Sequence, residues 1–232
     1  MTIILDLMKK AHILLLLSLV LTLSSCGAAR YYAGFTPEAA KKGMVVLGPS
    51  SVQYYIDKQN KEAYDDSLST ASESLIATVL EELNLPVSQR VQLDSVQKEE
   101  AVAFMRFITA KDKKLRGDYP IPGLFDELLE SKGQRYGLLI YADGMSRDTK
   151  GYAKEVAKDV LLGVATAVLT MGTMSVYGTS VYCVSHIYVA ILDSDTDRVV
   201  FYNSSVPRES HPLKPNPVRK QLEDVFKDFL KQ

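Results

Sequence analysis

The chain has no tryptophan, two cysteines and three histidines in 232 residues. With two cysteines a multi-bridge disulfide framework is excluded. Three histidines, one of them (His12) in the N-terminal leader, leave only His186 and His211 for metal or imidazole chemistry. Charge of one sign is also missing: 27 basic and 28 acidic residues give a net charge of −1. Nucleic acid requires a basic face, and here Lys and Arg are scattered among acids, so no nucleic-acid partner is expected. The longest apolar run, Ala11 to Leu23, falls short of the roughly 20 residues needed to span a bilayer. There is no phosphate-binding glycine loop and no nucleophile-elbow pattern: Gly48-Pro49-Ser50-Ser51 follows an apolar run but has the wrong spacing.

What is present begins at the N-terminus. Lys9 and Lys10 precede the apolar run, and Leu23-Ser24-Ser25-Cys26-Gly27 closes it. A basic stretch, 7–15 apolar residues and small residues before a cleavage point make a secretory signal peptide. The cysteine directly after those small residues resembles a bacterial lipobox. That resemblance implies cleavage before Cys26, acylation of its thiol and new amino group, and a membrane tether through Cys26. Residue 27 is glycine rather than aspartate; by the same resemblance this favours lipid anchoring in the outer membrane, facing the periplasm. Residues 1–25 are therefore read as the signal peptide, 26–42 as a tether, and 43–232 as one globular domain. Hydrophobic residues make up 47 % of the chain and charged ones 24 %, sufficient for a folded core.

Within the domain, Met44 to Leu47 reads as a buried strand, with a bend at Gly48-Pro49 and a second extended piece over Val52 to Ile56. Lys58 to Asp65 reads as a loop. Leu68, Leu75, Ile76, Val79, Leu80 and Leu83 recur on one face at helical period and predict a helix from Asp66 to Leu83, capped by Asp66 or Ser67. Asp94 with Gln97 forms a capping-box pattern for a second helix, whose apolar members are Val96, Val102, Met105 and Ile108, with Phe104 and Phe107 beside them. Leu124 to Ser131 predicts a short helix closed by Gly133. Tyr136 to Ala142 is the candidate central strand, with a turn at Asp143-Gly144. Ser180 to Leu192 alternates, Val199 to Tyr202 returns as a strand, and together they predict a hairpin. Asn216 and Pro217 open a final helix with Val218, Leu222, Val225, Phe226, Phe229 and Leu230 on its apolar face. The order predicts a mixed α/β (α+β) domain: a mixed sheet with a C-terminal β-hairpin, covered by helices.

From Val160 to Ser185 there is no charged side chain. The apolar segment at 158–178 reads as a helix that is buried in the fold, sits in an interface between copies or contacts the membrane, or else as a loop. Its small residues, Gly163 with Ala167 and Val168 with Gly172, allow close helix approach. The candidate partner interface is Val160, Leu161, Val164, Val168, Leu169 and Met171. An oligomer or an envelope complex is the partner expected there.

The lipobox at Cys26, the strands Met44 to Leu47 and Tyr136 to Tyr141, and the hairpin Val189 to Asp193 with Val199 to Asn203 together resemble a group of small bacterial envelope lipoproteins. These share a fold with the periplasmic domain of the curli-secretion outer-membrane lipoprotein. The resemblance implies a non-enzymatic role in envelope assembly or transport and carries over no catalytic residue.

Other candidate sites read as structural. Asp193-Ser194-Asp195-Thr196-Asp197 starts like a calcium loop, but an EF-hand requires Gly at its sixth position and Glu at its twelfth, where Arg198 and Ser204 stand. It reads as a solvated turn. Cys183 and His186 lie three apart in a strand and so point to opposite faces. The pairs Glu81/Glu82 and Glu99/Glu100 read as solvated helix faces. No cofactor, metal site or catalytic residue is expected. The functional expectation is a lipid-anchored, periplasm-facing binding or assembly module; the alternatives are a cell-wall hydrolase and a carrier of lipid or a small ligand.

Overall fold

Strands that are apolar at every position must be covered on both faces, and the central strands here follow that rule. The computed structural model describes residues 30–32, 34–59, 61–115, 119–148 and 182–230. They form one mixed sheet of seven strands: β1 (Arg30–Tyr31), β2 (Met44–Ile56), β3 (Glu62–Tyr64), β4 (Val87–Val91), β5 (Tyr136–Arg147), β6 (Cys183–Asp193) and β7 (Arg198–Ser204). The order is β1-β7-β6-β5-β2-β3, with β4 also on β2. β2 runs parallel to β4 and β5, and all other pairings are antiparallel. The helices are α1 (Asp66–Glu82), α2 (Ser95–Leu115), α3 (Gly123–Ser131), α4 (Pro215–Val225) and α5 (Lys227–Leu230).

The sheet separates two cores. On the first face, Ile76, Val79 and Leu80 of α1 and Leu222 and Val225 of α4 pack on Val46, Ile140, Val189 and Ile191. On the second, Met105 and Ile108 of α2 and Phe125 and Leu129 of α3 pack on Val45, Leu47, Leu139 and Ala190. The alternation read in β6 is realised: Ile187, Val189 and Ile191 enter one core, and Tyr188, Ala190 and Leu192 the other. The mixed helix-covered sheet and its C-terminal hairpin are thus as expected.

Several local expectations are corrected. Gly48-Pro49 does not end a strand. β2 continues through it, and its register against β5 shifts between Leu47 and Ser50, so the pair forms a bulge, a place where proline is tolerated. Gly48 has φ +68, which glycine adopts without steric cost. The expected loop contains β3, and Val87–Val91 is an unforeseen strand. Asp143-Gly144 is not a turn: β5 runs on to Arg147, held between β2 and β6. A Cβ at Gly144 would lie 2.4 Å from the Val184 carbonyl oxygen, so here glycine permits close strand approach. Asp65, not Asp66 or Ser67, caps α1, accepting from the Leu68 N–H at 2.8 Å. The final helix starts earlier, with Pro215 inside its first turn and Lys214 at its N-cap. Val96 is 69 % exposed rather than core. The Asp94/Gln97 box forms in both directions, at 3.0 and 2.9 Å. In the hairpin turn Asp197 takes φ +53, a left-handed conformation that Asp tolerates better than most residues. Part of the expected tether also joins the domain: Arg30–Tyr31 pairs with β7, and Phe35 and Ala40 are buried in the first core.

Candidate functional site

The route of the chain around β2 creates an opening. β2 leads through β3 and α1 to β4, and α1 packs on the first face. β4 then leads through α2 and α3 to β5, and those helices pack on the second face. The two crossovers leave on opposite faces, the arrangement that produces a binding crevice at the carboxyl ends of parallel strands.

The outer edge of β2 is interrupted at this place. Residues Met44 to Leu47 pair with β4 and Tyr54 to Ile56 with β3. Between them, side chains take over from a strand. The Ser51 N–H donates to Glu73 Oε1 at 3.1 Å and the Gln53 N–H to Ser69 Oγ at 2.9 Å. Lys98 Nζ donates to the other oxygen, Glu73 Oε2, at 2.6 Å. One carboxylate from α1 therefore holds both the strand edge and the ammonium of α2. Its side chain is 15 % exposed and that of Lys98 36 %, so the pair is screened less than a surface ion pair.

Thr70, Glu73 and Lys98 are shared by two lobes of one crevice. The larger lobe, about 510 Å³, is lined by Ser50, Ser51, Tyr54, Tyr64, Asp66 and Arg106 among others. The smaller, about 300 Å³, is more apolar, with Val46, Pro49, Leu80 and Leu93 beside Arg90. Arg90 is occupied by Glu81 Oε1 at 2.8 Å. Ser50 is 1 % exposed and its Oγ has no hydrogen-bond partner. Such a buried hydroxyl costs about 1–3 kcal/mol if nothing meets it.

Arg106 connects the crevice to a polar band on the second face. Its Nε donates to the Tyr141 hydroxyl at 3.2 Å, and that bond is the main reason its pKa is raised. Tyr141 stacks on Tyr188 at 5.5 Å, and the His186 ring lies 4.1 Å from Tyr188. Burial raises the pKa of Asp143, against opposing contributions from Arg106 and the Tyr188 hydroxyl. Burial lowers that of His186, and its Nε2 has no partner. Because the folded-state pKa of Asp143 is raised, the folded chain binds the extra proton more tightly. Stability should fall as pH rises through the window from about 3.9 upward. Asp143→Asn is expected to leave the melting temperature unchanged well below that window and to raise it near neutral pH, as thermal melts across pH will show. An unchanged pH profile would overturn this reading.

The expected sites are distributed as follows. Cys26 and the segment Val160, Leu161, Val164, Val168, Leu169 and Met171 lie outside the described residues. Cys183 is buried and lies three positions before His186 in β6, where strand alternation sets the two on opposite faces. The Asp193 turn is corrected in one respect: the Asp193 carboxylate is not solvated but buried, and it accepts two hydrogen bonds from Arg135 at 2.7 and 2.8 Å. Among the described residues no group of three or more His, Cys, Asp or Glu is placed to hold a metal ion. Glu81 and Glu82 lie on the surface, paired with Arg90 and Arg219, while Glu99 lines the crevice. Glu73, Lys98 and Arg106 were not singled out by sequence, since each reads as an ordinary polar helix position. The only pointer was Gly48-Pro49-Ser50-Ser51, an irregular break after an apolar strand.

No known protein family matches the sequence, and a comparison with curated proteins finds no match. Among solved structures, the chain is similar to a PelC dodecamer from Paraburkholderia phytofirmans at 11 % identity and TM-score 0.40, over 89 % of this chain and 99 % of that one. A variant of the same protein aligns at 12 % identity and TM-score 0.42, over the same shares. A DUF4136 family protein from Bacteroides thetaiotaomicron aligns at 8 % identity and TM-score 0.33, over 87 % and 93 %.

Proposed function

We propose that this chain is a lipid-anchored envelope protein, tethered by acylated Cys26 to the outer membrane and facing the periplasm. There it acts as a non-catalytic binding module whose ligand enters the crevice beside β2. The observation that carries the binding role is the interrupted strand edge. Side chains of two helices on opposite faces of the sheet, Glu73 and Lys98, meet over it and leave an open, polar cleft. Ser51 Oγ accepts from Gln53 Nε2 and Ser69 Oγ donates to the Asp65 carbonyl, and neither His186 nor His211 lines the cleft. The lipobox Leu23-Ser24-Ser25-Cys26-Gly27 supports the address. Assembly of copies, or docking to an envelope complex, is assigned to Val160, Leu161, Val164, Val168, Leu169 and Met171.

Cys26→Ser is expected to abolish acyl labelling and to move the protein from the membrane fraction to the soluble one, because two or more acyl chains hold a protein firmly where one does not. Membrane retention of the unlabelled variant would sink the tether. Among the described residues no helix is long and apolar enough to cross a membrane.

A further inference from the structure

We infer that the larger lobe of the crevice takes a polyhydroxylated ligand, a saccharide chain, and that Ser50 Oγ at its floor and the Tyr64 ring at its rim contact it. This inference rests on reading the crevice as the binding site and concerns the chemistry of what enters it. Acids and bases are mixed along the lobe: Asp66, Glu73 and Glu99 face Lys98 and Arg106. A phosphate-type anion calls for an excess of donors and cations, which is absent there. A hard cation calls for several converging oxygens, carboxylates above all, and among the described residues no group of three or more His, Cys, Asp or Glu is placed to hold one. A sugar hydroxyl both donates and accepts, so it suits a wall that carries carboxylates, an ammonium and a guanidinium group together.

Two further observations point the same way. Ser50 is 1 % exposed, lines the lobe and has an unpartnered Oγ, a group that a ligand hydroxyl can satisfy as donor or acceptor. Tyr54 and Tyr64 meet edge to face at 6.4 Å and 77°, and Tyr64 is 53 % exposed. An aromatic ring with an apolar face and a polar tip is suited to the C–H face of a pyranose. The lobe volume of about 510 Å³ falls within the usual range for ligand sites.

The test is calorimetric titration of the full chain, extracted in a sugar-free polyoxyethylene detergent, with cellotetraose, chitotetraose and galactotetraose. Sodium phosphate and the dipeptide Ala-Ala are titrated in parallel. At least one oligosaccharide is expected to bind, with Kd raised at least tenfold by Ser50→Ala and by Tyr64→Ala and unchanged by Gln89→Ala, which lies outside the lobe. Ser50→Ala removes an unpartnered hydroxyl and is expected to fold; Tyr64→Ala, at an exposed site, keeps the test open if it does not. Binding of phosphate or dipeptide alone, still weakened by Ser50→Ala, would overturn the saccharide assignment and leave the crevice standing. Oligosaccharide binding indifferent to both variants would also overturn it. No binding of any probe would remove the crevice reading as well.

Discussion

Phe201→Ala is expected to destabilise the chain by about 3–5 kcal/mol, the usual cost of truncating a buried phenylalanine. Phe201 lies on β7 and is fully buried. Its ring meets Tyr31 of β1 at 5.1 Å and Phe229 of α5 at 5.2 Å, the latter edge to face. Phe229 in turn contacts Phe226 and Phe35. Truncation opens a cavity where the edge strand, the C-terminal helices and the N-terminal lead-in converge. Each lost ring pair adds about 0.5–1.5 kcal/mol to the area term. A loss of this size is a large share of the 5–15 kcal/mol that stabilises a typical domain. It should appear in urea unfolding as a lower midpoint with an unchanged slope. A loss below about 1 kcal/mol would mean that β1 and α5 are not docked as described.

The second large effect is expected at the hairpin. Arg135→Ala strands the Asp193 carboxylate, whose side chain is 3 % exposed, and removing one partner of a buried pair costs about 3–5 kcal/mol. The low end applies, because the Arg135 side chain is 47 % exposed and water reaches its remaining face. Asp193 also accepts from the Asp195 N–H at 3.2 Å, and Arg135 pairs with Asp195 at 2.9 Å. The pair therefore fixes the start of β5, the end of β6 and the turn that follows. Cost and cause separate in a double variant. Arg135→Ala with Asp193→Asn should recover more than about 1 kcal/mol relative to Arg135→Ala alone, since a neutral amide is cheaper to bury than an unpaired carboxylate. No recovery would assign the loss to the contact of the Arg135 guanidinium with the Tyr136 ring, whose centroid lies 5.0 Å from Cζ.

Much of the fold was legible because its causes are local. The 3.6-residue spacing of Ile76, Val79, Leu80 and Leu83 produced α1, the Asp94/Gln97 box produced the start of α2, and the alternation of β6 placed the side chains from Ile187 to Leu192 on their observed faces. Where the reading failed, partners distant in sequence overrode local punctuation. Asp143-Gly144 has turn composition, yet two flanking strands hold it extended. Val87–Val91 is too short and polar to announce itself, and becomes a strand only through its pairing with β2.

By itself the sequence determined the two-faced apolar strands, the amphipathic helices that cover them and the C-terminal hairpin, because period and capping act between near neighbours. The crevice was decided only by tertiary structure. Glu73 reads as a solvated helix residue until the fold sets it over the Ser51 N–H, 22 positions away, and against Lys98, 25 positions away. Hydrogen bonding and charge pairing depend on distance in space, and a strand edge left open between β3 and β4 exists only once the sheet has been assembled.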